Sequence, residues 1–407
     1  MTEAEKREQE QKKEAQNAAR ELLFVLLRYE TCGASICENL TAHLSNADVL
    51  KALYDLSKAH DLTHLVANAL FKNKLLDKQS PAGKAFFKQL QMAIFRYEQI
   101  AYELKSVCEA LDESKIPHMP LKGSVIRLLY PQPWMRTSCD IDIYVQESDL
   151  DAAASAIVGK HGYQNNGKGS HDMQMVAPSG VHLELHYDLI EDSVSSGFQK
   201  GLARIWESAT PVRENGYTYK MTNEDFYFYH MAHTAKHFKN GGCGIRPFID
   251  LWYMEKALPY DQEKTDEALK ESGFLSFTQA ARKLARVWFG SEEPNELSEE
   301  MAEFVLLGGV YGAIENRVAV QTNKGRFAYF LFRVFPPYRE LKNQYLILRK
   351  YPILYPFCIV RRWFNLLFVK DRAKNSLREW NVAMKKSKDK ARENRVENLL
   401  KNLELDA

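Results

Sequence analysis

Residues 139–145 read Cys-Asp-Ile-Asp-Ile-Tyr-Val, and this stretch decides the fold of the chain. Polar and apolar residues alternate along it and include β-branched and aromatic types, a pattern that predicts a β-strand. Every second side chain of a strand points to the same face, so Asp140 and Asp142 would lie side by side, roughly 7 Å apart. Two carboxylates in this arrangement can hold a pair of Mg²⁺ ions, which prefer oxygen ligands and together can clamp a phosphate.

The residues around this strand predict a small α/β unit at 116–215. We expect a helix over about 147–161, followed by strands at 172–177 and 181–189. Pro-Ser-Gly at 178–180 would form the hairpin turn between those two strands. The unit should therefore contain a mixed sheet.

Apolar residues recur at helical spacing on both sides of this unit. The fold class that we predict is therefore α+β, with a small mixed-sheet core flanked by N-terminal helices and a helical C-terminal half. In chain order, the expected divisions are a charged helical lead-in, an N-terminal helical region, the α/β core, a helical domain and a basic aromatic helical C-terminal region, at 1–20, 21–115, 116–215, 216–320 and 321–407.

The composition excludes several classes of protein. Apolar residues make up 45% of the 407, which excludes a wholly disordered chain, and only 20 Gly and 14 Pro exclude a collagen-like one. No stretch approaches 18 uncharged apolar residues and no secretory signal opens the sequence, so we expect no transmembrane segment and a cytoplasmic location. The six cysteines contain no CxxC pair, so neither a zinc cluster nor a redox motif is indicated.

Charge is unevenly distributed along the chain. Residues 317–407 contain 21 Lys and Arg against 8 Asp and Glu, and basic side chains there alternate with aromatic ones. This pattern is typical of an amphipathic helical domain with a solvated basic face. It also suits an anionic partner, which would be a nucleic acid, a membrane surface or an acidic protein. The polar run at 371–406 predicts a partly free terminal helix.

A second motif precedes the strand. Leu121-Lys122-Gly123-Ser124 opens a short helical segment, where Gly123 lets the backbone approach a phosphate and Ser124 offers a hydroxyl. About 40 residues after the aspartates, Glu184 stands on a later strand. A neighbouring strand would carry it across to them as a third carboxylate.

The order and wording of these motifs resemble the bacterial uncharacterised nucleotidyltransferase family, within the superfamily that shares its fold with polymerase β. The resemblance covers roughly residues 20–260. The residues that carry it are Pro-Leu-Lys-Gly-Ser at 120–124, Tyr130-Pro131, Arg136, Asp-Ile-Asp-Ile at 140–143, His-Leu-Glu-Leu-His-Tyr at 182–187, His233 and His237 on a later helix, and then Arg246 and Asp250.

The resemblance implies a metal-dependent transfer of a nucleoside monophosphate from an NTP, such as ATP, with release of pyrophosphate. Asp140 and Asp142 would ligate two Mg²⁺ ions. Glu184 would ligate the catalytic ion and help to activate an acceptor hydroxyl. The acceptor stays open, as an RNA end, a protein hydroxyl or a small molecule.

The resemblance also assigns residues to the nucleotide. Gly123 and Ser124 would hold the β- and γ-phosphates, while Lys122 and Arg136 would neutralise phosphate charge.

The alternative is a catalytically silent protein of the same fold that binds nucleotides or a partner. Three clustered carboxylates argue against it, because they repel one another without a metal and serve no purpose in the fold.

His230, His233 and His237 fall on one face of their predicted helix. Three interpretations stay open for them, namely packing and hydrogen bonding, a contribution to the nucleotide or acceptor site, and a transition-metal site. His186 shares a strand face with Glu184, so it is either a half-buried strand histidine or a residue that orients a metal ligand.

Arg246 and Asp250 are an i, i+4 pair of opposite charge on the following helix. Such spacing is typical of an ion pair on a helix surface or between helices. The alternative is that the two residues support the site from behind.

Overall fold

Helices account for most of the described chain, and one five-stranded sheet lies between them in sequence. These features come from a computed structural model, which describes residues 2–36, 38–189, 202, 204–310, 312, 316, 318, 331–368 and 390–405. A small mixed sheet inside a mainly helical chain confirms the predicted α+β class.

The helices before the sheet are α1 (Glu3–Cys32), α2 (Glu38–Thr41), α3 (Ala47–Ala59), α4 (Thr63–Lys72) and α5 (Pro81–Glu113). Helix α1 runs unbroken through the predicted division at residue 21. It begins with a capping box, in which Thr2 accepts from the backbone of Glu5 and the Glu5 carboxylate accepts from the backbone of Thr2. Ala15 and Ala19 are already buried, so the charged lead-in is part of a packed helix.

The sheet contains β1 (His118–Pro120), β2 (Asp140–Val145), β3 (Gln164–Lys168), β4 (Asp172–Val176) and β5 (His182–His186). Its strand order is β1-β2-β5-β4-β3, and only β2 and β5 are parallel. Helices α6 (Gly123–Ile126) and α7 (Leu150–His161) interrupt the strands. The sequence predicted β2, β4, β5 and the helix that includes α7, but missed β1 and β3.

After the sheet come α8 (Ile205–Ser208), a two-stranded sheet of β6 (Thr210–Pro211) and β7 (Tyr219–Lys220), and five longer helices. These helices are α9 (Asn223–Lys239), α10 (Arg246–Ala257), α11 (Gln262–Glu271), α12 (Leu275–Phe289) and α13 (Glu296–Leu306). The C-terminal helices are α14 (Tyr338–Gln344), α15 (Ile347–Lys350), α16 (Tyr355–Phe368) and α17 (Lys390–Asn402).

Each face of the main sheet has a different chemistry. One face buries Ile141, Ile143, Leu183 and Leu185 in a core that includes side chains of α5 and α7. Strand alternation turns the residues between them, including Asp142, to the opposite face. That face looks toward the larger helical core.

The larger core joins helices from both sides of the sheet in sequence. Leu22 of α1 and Leu65 of α4 belong to the same cluster as Phe238 of α9 and Phe277 of α12. The cluster also takes in Leu403, next to α17, so the predicted partly free terminal helix is wrong for the described residues 390–405. The apolar side chains of α17 are enough to dock it on α13 although the surrounding sequence is polar.

Helices α14, α15 and α16 form a small separate cluster, in which the buried members are Leu341, Leu348, Cys358 and Ile359. None of the helices in the described residues combines the length and the apolar character that crossing a membrane requires.

Candidate active site

Parallel pairing of β2 with β5 builds the centre of the site. The register sets Asp142 beside Glu184 and Tyr144 beside His186. Because both strands turn their intervening residues into the core beneath, these polar side chains share the opposite face. The sheet thus brings Glu184 to the Asp-x-Asp strand, as the sequence predicted.

Among Asp140, Asp142 and Glu184, Asp142 has the most hydrogen bonds to its carboxylate. It is buried, and its Oδ1 accepts from the Lys122 ammonium at 2.7 Å and from Nε2 of His186 at 2.9 Å. Burial alone would raise the pKa of Asp142, but the Lys122 charge and the His186 hydrogen bond outweigh it, and the pKa is lowered. Asp142 is therefore ionised and already neutralised by groups of this chain.

The partners of Asp142 respond in the same sense. Burial would lower the pKa of Lys122, but the carboxylate raises it, so the ammonium stays charged. Burial would likewise lower the pKa of His186, whereas its hydrogen bonds to Asp142 and Glu184 raise it. His186 Nε2 lies 3.4 Å from the Glu184 carboxylate, so the histidine contacts both acids directly.

One group of metal-ligand atoms stands out in the described part of the chain. Oxygens of Asp142 and Glu184 and a ring nitrogen of His186 all lie within 4.8 Å of one another. The predicted set contained Asp140 where this group contains His186. Burial raises the pKa of Asp140, and the charges of Asp142 and Glu184 add to that rise. Asp140 is thus close enough to feel both acids.

The segment 121–124, which was predicted to hold phosphates and is called the phosphate loop below, lies beside these acids. Lys122 has a positive φ of 44° at the start of the loop, a conformation that costs energy for a residue with a Cβ. The Ser124 hydroxyl is buried and has no hydrogen-bond partner among the described residues. Helix α6 has only four residues, so its dipole adds little, and any phosphate would depend on individual groups of the loop.

Gly123 is required by a neighbour within the protein. A Cβ at this position would come within 2.6 Å of Nη1 of Arg136. The sequence explained this glycine by the approach of a phosphate, whereas the structure shows a guanidinium packed against it. A larger residue would therefore require the Arg136 guanidinium or the loop to shift.

Arg136 makes a buried ion pair with Asp250, at 3.0 Å between Nη2 and Oδ2. Tyr130 donates its hydroxyl to the same carboxylate at 2.6 Å. Burial would raise the pKa of Asp250, but Arg136 and these hydrogen bonds hold it below its usual range. The Arg136 charge is thus compensated inside the protein, where the sequence had assigned it to a phosphate.

The i, i+4 spacing of Arg246 and Asp250 does not lead to a pair between them within the described contacts. Arg246 instead donates to Asp61, in the turn between α3 and α4, at 3.0 Å, and to the backbone carbonyl of Thr137. Both side chains turn toward the loop that precedes β2, and each finds a partner from a distant part of the chain. Both residues therefore hold that loop in place.

Helix α9 brings further side chains near the site. Burial raises the pKa of Tyr229, and the charges of Asp142 and Glu184 add to the rise, so this residue lies near the acids. Burial together with the Lys122 charge lowers the pKa of His233, whose Nε2 lies 3.0 Å from that of His237. The sequence missed Tyr229, although its spacing of four residues from His233 was a signal.

His230 makes a hydrogen bond through Nε2 to the carbonyl oxygen of Pro247, at 3.3 Å, which agrees with the packing and hydrogen-bonding interpretation. Of the three histidines predicted to share a face, His233 and His237 contact each other through their rings.

A family model described as "Uncharacterised nucleotidyltransferase" matches residues 47–290, more than half of the chain. The matched residues include the main sheet, the phosphate loop and helices α9 and α10. No curated protein and no solved structure matches the chain.

Proposed function

The chain belongs to the uncharacterised nucleotidyltransferase family, and from this premise we propose that it is a Mg²⁺-dependent enzyme that moves a nucleoside monophosphate from an NTP, such as ATP, to an acceptor hydroxyl. The observation that carries the proposal is the paired placement of Asp142 and Glu184 beside the Lys122 ammonium. Cytoplasmic location and bacterial origin remain predictions from the sequence, and the acceptor stays open as an RNA end, a protein hydroxyl or a small molecule.

The donor set fits a divalent cation. Asp140, Asp142 and Glu184 lie close together, since the charges of Asp142 and Glu184 add to the rise that burial causes in the pKa of Asp140. Lys122 already provides a positive charge against Asp142, in the position where a cation would compensate it. We assign the carboxylates as ligands of two ions and His186 as the residue that orients Asp142, because Mg²⁺ prefers oxygen to nitrogen.

When bound, Mg²⁺ would stabilise the charge that develops on the phosphate oxygens. In the proposed transfer, the acceptor oxygen bonds to the α-phosphorus and the bond from that phosphorus to the pyrophosphate oxygen breaks. Glu184, whose side chain is partly exposed, takes up the proton that leaves the acceptor hydroxyl. Lys122 transfers its hydrogen bond from Asp142 to a phosphate oxygen, and Ser124, whose hydroxyl has no partner among the described residues, donates to the phosphate as well.

Arg136 has a supporting part in this proposal. Its contact with Gly123 and its ion pair with Asp250 link the phosphate loop to helix α10. The loop is therefore held in a fixed position before the nucleotide arrives, which reduces the entropy lost on binding.

The direct test is incubation of the protein with each labelled NTP, Mg²⁺ and cell extract, followed by identification of the labelled molecule. We expect label to be incorporated only with Mg²⁺, to be lost in Asp142→Asn and to be kept in Asp151→Asn, a matched change of an exposed carboxylate on α7. Thermal shift with NTP, with and without Mg²⁺, measures binding separately. Metal-independent NTP binding without incorporation of label would instead favour the silent binding protein.

A further inference from the structure

Residues 331–368 contain an unusual share of the exposed apolar surface. Ten of the 18 large apolar side chains that are exposed in the described chain lie in this segment. Scattered exposed apolar residues are normal, but a concentration of this kind marks a surface that binds something.

The exposed apolar side chains Phe357 and Val360 of helix α16 do not take part in its local packing. The inner side of the helix buries Cys358 and Ile359 against the cluster formed with α14 and α15. On the outer side, Phe357 is 72% exposed and Val360 is 46% exposed, and Ile353, in the turn before the helix, is 83% exposed. We call these three residues the outer apolar row.

The segment that contains this row carries a strong positive charge. The segment 331–368 contains seven Lys and Arg against a single acidic residue, Glu340. Arg361, which is exposed, directly follows Val360 on α16. An apolar face bordered by Lys and Arg complements a surface that is apolar below and anionic above, which is the structure of an anionic lipid leaflet.

We propose that the outer apolar row, together with the basic residues of its segment, including Arg361, forms a docking surface for anionic membranes, with α16 lying in the plane of the lipid headgroups. Two of the three residues in the row are aliphatic, which favours lipid over nucleic acid. Ile353 and Val360 offer no flat ring on which a base can stack, whereas both can enter the acyl boundary. The proposal is independent of nucleotidyl transfer.

The docking surface is joined to the α/β core. Arg349 of α15 donates to the backbone carbonyl of Ser170, in the turn before β4, at 3.2 Å. The ring of the next residue, His171, is tilted against that of His186 in the site, with 5.6 Å between ring centroids. Docking would therefore hold the catalytic centre near the lipid surface.

The test is flotation of the full-length protein with vesicles of phosphatidylcholine alone or of phosphatidylcholine with phosphatidylserine. We expect binding only to the anionic vesicles, and a decline as salt rises from about 50 to 500 mM, since screening weakens the charge attraction. The double variant Phe357→Ser/Ile353→Ser should bind at least about tenfold more weakly, because two apolar side chains no longer enter the lipid. Arg361→Glu should weaken binding at low salt.

Matched controls separate this surface from general stickiness. Phe95→Ser changes a side chain of α5 that is 65% exposed, and Lys51→Glu reverses an exposed charge on α3. Neither should change vesicle binding. Equal binding to neutral vesicles, no vesicle binding, or full binding by the Phe357→Ser/Ile353→Ser variant would overturn the proposal. So would salt-sensitive binding of single-stranded RNA by a protein that does not float with anionic vesicles.

Discussion

The buried pair of Arg136 and Asp250 permits a quantitative prediction for Asp250→Ala. The Asp250 side chain is 1% exposed and that of Arg136 is 11% exposed, so removal of the acid leaves a guanidinium charge inside the protein. A buried charge that loses its partner costs about 3–5 kcal/mol. The Tyr130 hydroxyl, which donates to Asp250, loses its acceptor as well.

Urea unfolding followed by tryptophan fluorescence measures this cost as a fall in the free energy of unfolding. The double variant Arg136→Met/Asp250→Leu should lose less than Asp250→Ala, because no charge is stranded. Glu397→Ala is the matched control, since Glu397 pairs with Lys401 on the surface of α17 and such i, i+4 pairs contribute only about 0.3–0.5 kcal/mol. A loss of less than about 1 kcal/mol in Asp250→Ala, or a double variant as unstable as the sum of the two single losses, would refute the reasoning.

Asp140→Asn and Asp142→Asn should both abolish nucleotidyl transfer. Thermal denaturation should show that Asp140→Asn raises stability, because it relieves repulsion between acids, and that Asp142→Asn lowers stability, because it removes the partner of a buried ammonium. A stability change of the same sign in both variants would contradict this charge arrangement. Glu184→Gln should lose turnover and keep NTP binding, whereas Asp188→Asn, beyond the end of β5, should be milder in steady-state kinetics; the reverse order would exclude Glu184 as the proton acceptor. Burial lowers the pKa of His60 to about 4, below its unfolded value of about 6.5, so this residue contributes stability above pH 6.5 that is lost as the pH falls toward 4, up to about 3 kcal/mol. Urea unfolding across this range should show a shallower decline in His60→Leu, and equal declines would rule out this origin.

Alternation of residue types made the centre of the site predictable. The stretches 140–145 and 182–186 each turn their acids to one face, because the intervening Ile and Leu must be buried. Strand β3, at 164–168, escaped prediction because Gln-Asn-Asn-Gly-Lys has a low preference for strands and all five residues are exposed. Its pairing with β4 overrides that preference. Strand β1 has only three residues and ends in a proline, which leaves too short a pattern to detect.

Contacts between distant segments were outside the reach of sequence patterns. Arg136 and Asp250 are 114 residues apart, and no local spacing indicates that they meet. The nearby Arg246 offered a plausible local partner for Asp250, and that local signal was misleading. Tyr229 was missed for a related reason, since a buried aromatic residue on a helix is normally part of the core.

The hydrogen bond between Lys122 and Asp142 bears on the order in which ligands arrive. While the ammonium occupies an oxygen of Asp142, an incoming cation must compete with a tethered one, so the free protein should bind Mg²⁺ weakly. A triphosphate offers Lys122 a new anionic partner and thereby releases the carboxylate. Nucleotide and metal should then strengthen each other's binding by the same factor, as reciprocal coupling requires. Because Lys122 serves as the counter-ion of Asp142, the site would stay inactive without ligands and would assemble only when both the nucleotide and the metal are present.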